Sequence, residues 1–213
     1  MKGFLFDLDG TLVDTAIDMI AALKSLAEEN EILINPEYSK YKELITFGSK
    51  AIVTSIFGHL GENDILKLQK RYLEIYQNSL SVDSCLFSGV DVFIEHLDDN
   101  KIPWGIVTNK PAYLAKPLID SLTQLKNCKI LIGGDTTKHS KPHPEPINTA
   151  LKSMSIEPQS SWYIGDALSD ITAAKAANMM SAVALWGYLS ESDKPERWQA
   201  DKLLNCPSEL KNL

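Results

Sequence analysis

Near its start the chain runs Gly3-Phe4-Leu5-Phe6 without a polar residue and stops at once in Asp7-Leu8-Asp9-Gly10-Thr11. A short run that is apolar at every position suits a strand buried on both faces, which is the situation inside a parallel sheet covered by helices. The arrest that follows is a polar turn with glycine at its sharpest point. The pattern returns. Trp104-Gly105-Ile106-Val107 halts at Thr108-Asn109-Lys110-Pro111, Ile130-Leu131-Ile132 at Gly133-Gly134-Asp135, and Ser161-Trp162-Tyr163-Ile164 at Gly165-Asp166. Ala182-Val183-Ala184-Leu185 is another strand, and Leu203-Leu204 is an edge-strand candidate. Between these runs apolar residues recur at helical spacing: Val90, Phe93, Ile94 and Leu97, with Asn100 as a left-handed cap, then Ile147, Ala150, Leu151 and Met154 behind Pro144 and Pro146, then the Ala-rich stretch Ile171 to Ala177. Alternation of strand and helix predicts an α/β fold with a parallel sheet.

One segment breaks the rhythm. From Thr15 to Asp83 the apolar residues keep a helical period, with Ile17, Ile20, Ala21 and Leu23 early and Ile65, Leu68, Tyr72, Ile75 and Tyr76 late. No strand candidate lies between them. The predicted organisation is therefore a core made of residues 1–14 and 84–213 with an all-helical insert at 15–83. A chain of 213 residues that is 44% hydrophobic can bury such a core, and 11 glycines and 10 prolines are too few for collagen-like or low-complexity structure. The longest nearly apolar run, Ser181 to Leu189, falls far short of the ~20 residues a membrane-spanning helix needs, and Asp7 and Asp9 interrupt what would be the core of a signal peptide. Twenty-eight acidic residues against 21 basic give a net charge of −7, which speaks against nucleic acid and anionic membranes as partners. Any anionic substrate must then meet a local cationic site. Cys85, Cys128 and Cys206 are odd in number and lack metal-ligand spacing, so they are expected to be small buried or half-buried hydrophobes in a reducing cytoplasm.

Three strands thus end in residues capable of chemistry: Asp7 with Asp9, then Thr108, then Asp166. In an open parallel sheet the ligand crevice lies outside the carboxyl ends of the strands, where strand order reverses. Lys141, in the loop Lys138-His139-Ser140-Lys141-Pro142, follows another strand and can reach the same edge. Carboxylates and an ammonium gathered there repel and desolvate one another unless a cation joins them, and hard oxygen ligands of this kind suit Mg²⁺. Taken singly, each residue has a plainer account: Asp7 as a turn former, Thr108 as a cap, Lys141 as a solvated lysine, Asp170 as an acidic residue favourable to the dipole of the Ala-rich helix. Their joint order on successive strand ends favours one site.

The segment Phe6-Asp7-Leu8-Asp9-Gly10-Thr11-Leu12-Val13-Asp14-Thr15 resembles the first motif of the haloacid dehalogenase superfamily in its phosphatase form. Val107-Thr108-Asn109-Lys110-Pro111 is similar to the second motif, Ser140-Lys141-Pro142 to the third, and Gly165-Asp166-Ala167-Leu168-Ser169-Asp170 to the fourth. The resemblance spans nearly the whole chain. Ile106 to Pro111, Ser140 to Pro146 and Trp186-Gly187-Tyr188 look like the phosphoglycolate phosphatase branch. Gly48-Ser49-Lys50-Ala51, Leu86-Phe87-Ser88-Gly89, Pro103-Trp104-Gly105 and Trp198-Gln199-Ala200-Asp201 look more like bacterial N-acetylmuramic acid 6-phosphate phosphatases.

This resemblance implies a Rossmann-like sheet core with the helical insert as a cap, and a Mg²⁺-dependent phosphatase for a small phosphorylated metabolite, monomeric or homodimeric. It implies Asp7 as nucleophile and Asp9 as general acid and base. Mg²⁺ would be held by Asp7, the backbone carbonyl of Asp9 and Asp166, with Asp170 orienting a coordinated water. Thr108, the Asn109 backbone amide and Lys141 would bind the phosphoryl group, and Ser49 and Lys50 of the cap would touch the leaving group or remain ordinary surface residues. His59, His96, His139 and His143 read as surface residues without metal-site spacing. Asn178 stands where relatives carry glycine after the Ala-rich helix, and Lys50 where they often carry arginine. Asp9 argues against a dehalogenase and against a phosphonate hydrolase, both of which lack that second acid. A sugar-phosphate mutase of the same fold and a non-catalytic phosphate-binding protein stay as alternatives.

Overall fold

The structure, a computed structural model, describes residues 1–35 and 37–213. In chain order the elements are β1 (Phe4–Phe6), β2 (Val13–Asp14), α1 (Ala16–Glu29), α2 (Tyr38–Ile45), α3 (Gly48–Phe57), α4 (Glu62–Asn78), β3 (Cys85–Leu86) and α5 (Val90–Asp99). They continue as β4 (Trp104–Val107), α6 (Ala112–Ser121), β5 (Leu131–Ile132), α7 (Glu145–Met154), β6 (Trp162–Gly165), α8 (Leu168–Ala176), β7 (Met180–Ala184) and β8 (Lys202–Leu204). The chain divides into two compact units: Met1–Asp14 with Leu86–Leu213, and Thr15–Cys85.

In the first unit six strands form a sheet in the order β5-β4-β1-β6-β7-β8, with every pairing parallel. The first strand lies inside, flanked by β4 and β6. Register follows a simple rule on one side, Phe4 opposite Trp104, Leu5 opposite Gly105 and Phe6 opposite Ile106. Side chains alternate between the faces of a strand, and both faces here are apolar. Phe4, Phe6, Trp104, Ile106 and Ile164 pack with Phe93, Ile94, Leu97 and Leu118 on one side. Leu5, Val107 and Tyr163 pack with Ile147, Ala150, Ala173 and Ala174 on the other. The helices that cover the sheet include α5, α7 and α8, each presenting a buried stripe.

Two local expectations need correction. Asn100 is not left-handed (φ −87°); its side chain donates to His96 O at 2.8 Å, the chain turns at Lys101 (φ 53°), and Ile102 N donates back to Leu97 O. The left-handed role has simply moved one residue on. Asn178 does take that conformation (φ 56°). Cys85 and Cys206 are exposed rather than buried, and only Cys128 is half-buried, its thiol pushed up to about 11 by burial. Helix α6 adds an element to those expected, with Pro117 in its interior.

The second unit is helical. Met19, Leu23 and Leu26 of α1, Val53 and Phe57 of α3, and Tyr72 and Tyr76 of α4 are buried, and the Tyr72 hydroxyl donates to Met19 O at 3.1 Å. Asp18 on α1 is 3% exposed and accepts four hydrogen bonds, from the backbone N–H groups of Val82, Asp83 and Ser84 and from the Ser84 hydroxyl. One carboxylate therefore fastens the return segment of this unit. Asp18→Ala leaves those donors without their acceptor and should lower unfolding free energy by about 3 kcal/mol. Urea denaturation checks this, and a loss below about 1 kcal/mol would mean that water replaces the carboxylate without cost.

Candidate active site

Strand order reverses on either side of β1, so its carboxyl end is a switch point. Asp7, Thr108 and Asp166 stand at or one residue past the ends of β1, β4 and β6. Backbone bonds from Asp7 N to Ile164 O and from Thr108 N to Ile132 O, both 2.9 Å, extend the ladders to the tips. Beyond Asp7 the chain folds back tightly: Leu12 N and Val13 N both donate to Leu8 O, and Gly10 N donates to Val13 O. Gly10 has φ +81°, and a Cβ there would run into the Asp166 carboxylate, so the turn needs glycine on both counts. Asp166 is then gripped from two sides, by Tyr188 N at 2.7 Å and by the Thr11 hydroxyl at 3.2 Å. The Tyr188 hydroxyl continues to Asp14 Oδ1 at 2.7 Å.

Lys141 enters this cluster from the loop before α7 with its side chain 1% exposed. Its Nζ donates to Val107 O, to the Tyr163 hydroxyl and to Asp170 Oδ1 at 2.9, 2.7 and 2.6 Å, and lies 3.0 Å from Asp7 Oδ1. The approach to Asp7 is an ion pair whose angle makes no hydrogen bond, and Asp7 Oδ1 is buried without a hydrogen-bond partner. Asp170 also reaches back to Ala167 N at 3.0 Å, capping α8 while it pairs with Lys141. Asn109 bonds the Lys141 backbone reciprocally, Nδ2 to Lys141 O and Oδ1 from Lys141 N, each 3.0 Å, and so ties the two loops together. Thr108 Oγ1 accepts from Lys110 N at 3.2 Å, a bond that leaves the hydroxyl's own proton to donate.

Charge explains what such a cluster invites. Among the described residues Asp7, Asp166 and Asp170 form the one group of three metal-capable side chains, with ligand atoms all within 4.8 Å of one another. Burial pushes Asp7 up to about 6; the Lys141 ammonium pulls the other way, and Asp170 and Asp9 add to the rise. Burial, then Asp7 and Asp170, hold Asp166 well above the usual carboxylate range. Lys141 itself is held above its ordinary value: burial works against its charge, and the Asp170 and Asp7 carboxylates outweigh it. Asp9 pairs with Lys110, Nζ to Oδ1 at 2.9 Å. Four carboxylates thus face two ammonium groups, and a divalent cation would match the excess. The acidic oxygens, one of them without a hydrogen-bond donor, suit Mg²⁺.

The first unit brings together Asp7, Asp9, Thr108, Asn109, Lys141, Asp166 and Asp170. Ser49 and Lys50 belong to the helical unit, on the first turn of α3, where Gln69 donates to Ser49 Oγ at 2.9 Å and Lys50 pairs with Glu62 at 3.1 Å. All four histidines are exposed, although His139 and His143 bring their rings to 4.4 Å. Sequence reasoning gave no role to Lys110, Tyr163, Thr11 or Tyr188. Lys110 and Tyr188 stood inside segments already singled out, while Tyr163 read as strand filler.

Residues 4–184 match the family of haloacid dehalogenase-like hydrolases. The chain belongs to that family. A phosphoglycolate phosphatase of Xanthomonas campestris is 38% identical to this hydrolase over 209 residues, covering 98% of the chain and 94% of its own. An N-acetylmuramic acid 6-phosphate phosphatase of Pseudomonas putida is 34% identical over 214 residues, covering 100% and 96%. A crystal structure of a predicted phosphoglycolate phosphatase of Haemophilus somnus matches with a TM-score of 0.88 at 22% identity, covering 100% of this chain and 97% of its own. That last likeness is one of fold.

The raised Asp7 value has a consequence for stability. Its contribution is complete below the unfolded carboxylate's 3.8 and is lost as pH climbs through about 6. In metal-free hydrolase at about pH 7.5, Asp7→Asn should therefore be more stable than the parent by roughly 2–3 kcal/mol, and the gap should close below about pH 4. Urea unfolding at both pH values checks it; a pH-independent gap would assign the difference to packing instead.

Proposed function

We propose that this hydrolase is a Mg²⁺-dependent phosphatase that works through an aspartyl-phosphate on Asp7. The observation that carries the reading is the Asp7 carboxylate at the sheet's switch point, buried, with one oxygen that no hydrogen bond occupies and an ammonium 3.0 Å away. Asp7 would attack the phosphorus of a monoester. The bond to the leaving oxygen breaks, that oxygen keeps the electron pair, and Asp9 gives it a proton. A water then attacks the aspartyl-phosphate and yields its proton to Asp9. The phosphorus–Asp7 bond breaks and inorganic phosphate leaves, restoring both carboxyl groups.

Lys141 supplies positive charge beside the transferring group, and its own position is fixed by Val107, Tyr163 and Asp170. The Thr108 hydroxyl and the Asn109 backbone N–H donate to phosphoryl oxygens. Asp7, Asp166 and the backbone carbonyl of Asp9 would hold Mg²⁺, with Asp170 one step removed because both its oxygens already serve Lys141 and Ala167. Bound there, the cation neutralises charge between carboxylates and the incoming phosphate dianion. The cap role of the helical unit, with Ser49 and Lys50 as leaving-group contacts, belongs to the same proposal. The exposed Lys50–Glu62 pair is weak enough to be exchanged for a substrate anion. We place the enzyme in the cytoplasm, where unpaired thiols stay reduced; among the described residues no helix is long and apolar enough to cross a membrane.

The names of the relatives select the substrates to offer first, N-acetylmuramic acid 6-phosphate and 2-phosphoglycolate. Phosphate release from at least one should require Mg²⁺ and fall by about 10³-fold or more in Asp7→Asn. Acid quench during turnover should find a phosphoryl group on Asp7 by mass spectrometry. Isomerised sugar phosphate with little free phosphate would make the protein a mutase, and phosphate binding without turnover would make it a binding protein.

A further inference from the structure

Lys110 plays no part in the chemistry above, yet it is held as firmly as any residue that does. Its side chain is 4% exposed, and its Nζ lies 2.9 Å from Asp9 Oδ1. An apolar side chain would fill that space without the penalty of burying an ammonium. What the lysine adds is therefore a charge directed at Asp9. Its backbone is fixed from both directions: Lys110 N donates to Thr108 Oγ1 at 3.2 Å and Lys110 O accepts from Gly134 N at 3.0 Å. The pairing of Phe6 with Ile106 puts the loops after β1 and β4 side by side, so the stem of Lys110 starts next to the turn that carries Asp9.

We propose that Lys110 is the positioning residue for Asp9. The ion pair fixes one carboxylate oxygen and so aims the other at the reacting oxygen atoms. This rests on the reading in which Asp9 moves the proton in both half-reactions. Lys110 touches neither phosphate nor leaving group; it acts through Asp9.

A leaving group that departs without a proton separates this role from a structural one. With p-nitrophenyl phosphate and Mg²⁺, Lys110→Met should form nitrophenolate in a first turnover within about threefold of the parent rate, because Asp7 and Lys141 are untouched. The following steady state should fall by about 10²-fold, since water attack needs Asp9, and a burst should become visible. With an alkyl phosphate the first turnover itself should slow by about 10²-fold. Lys110→Gln keeps a donor for Asp9 Oδ1 and should recover part of the loss; it also carries the test if the methionine variant does not fold. In an Asp9→Asn background Lys110→Met should cost no more than about threefold. Equal losses in both phases with both esters, or a further large loss in the Asp9→Asn background, would overturn the proposal. A parent enzyme inert on every ester would instead sink the phosphatase reading, and this inference with it.

Discussion

Lys141 carries a positive charge to a place water does not reach, and groups from four separate parts of the core converge on it. They are Asp7 after β1, Val107 at the end of β4, Tyr163 within β6 and Asp170 in the first turn of α8. Stripped of both its carboxylate partners, the buried ammonium would cost the fold about 3–5 kcal/mol, because its charge would stay unpaired in a poor solvent for charge. That penalty ties three strands and a helix start to one atom. The reciprocal bonds between Asn109 and the Lys141 backbone do the same for the loops. The site is consequently part of the framework, held by the interactions that hold the sheet.

The same crowding sets stability against chemistry. Asp7 and Asp166 are forced toward the neutral form by burial and by the Asp170 charge beside them, which a folded protein gains nothing from. The chain nevertheless packs its backbone tightly around them. Gly10 and Gly187 let two turns approach the Asp166 side chain where any Cβ would collide with it. Strain of this kind is expected where a site must keep charge ready for a ligand that restores the balance.

Much of the core was legible because its signals are local. An apolar run that ends in Asp, Thr or Gly-Asp announces both a buried strand and its tip, and the strand tips carry the candidate site. The partners of those tips were not legible. Lys110 lies 101 positions from Asp9 and Tyr163 lies 22 from Lys141, separations that only strand register converts into contacts. Helix α6 buries Leu114, Ala115, Leu118 and Ile119 although Pro117 in its interior weakens the helical signal of the segment. Asn100 misled by composition: its side chain ends the helix by bonding His96 O, and the left-handed step falls to Lys101, a residue type with no preference for it. Two cysteines are exposed because residue type sets only an average burial, while Cys85 and Cys206 lie on a two-residue strand and beside a terminal turn.

The offset that pairs each residue of β1 with the one a hundred positions later separates two kinds of change in length. Between those strands the chain makes a long detour through α1–α4 and then α5, yet the register depends only on where the two strands are anchored. Lengthening or replacing the detour leaves the offset in space untouched. One residue inserted within either strand would swap its faces and carry Asp7 or Thr108 off the edge. Variation in size is thus channelled away from the reaction and into the helical unit, so descendants of such a chain can diversify there while their chemistry stays the same.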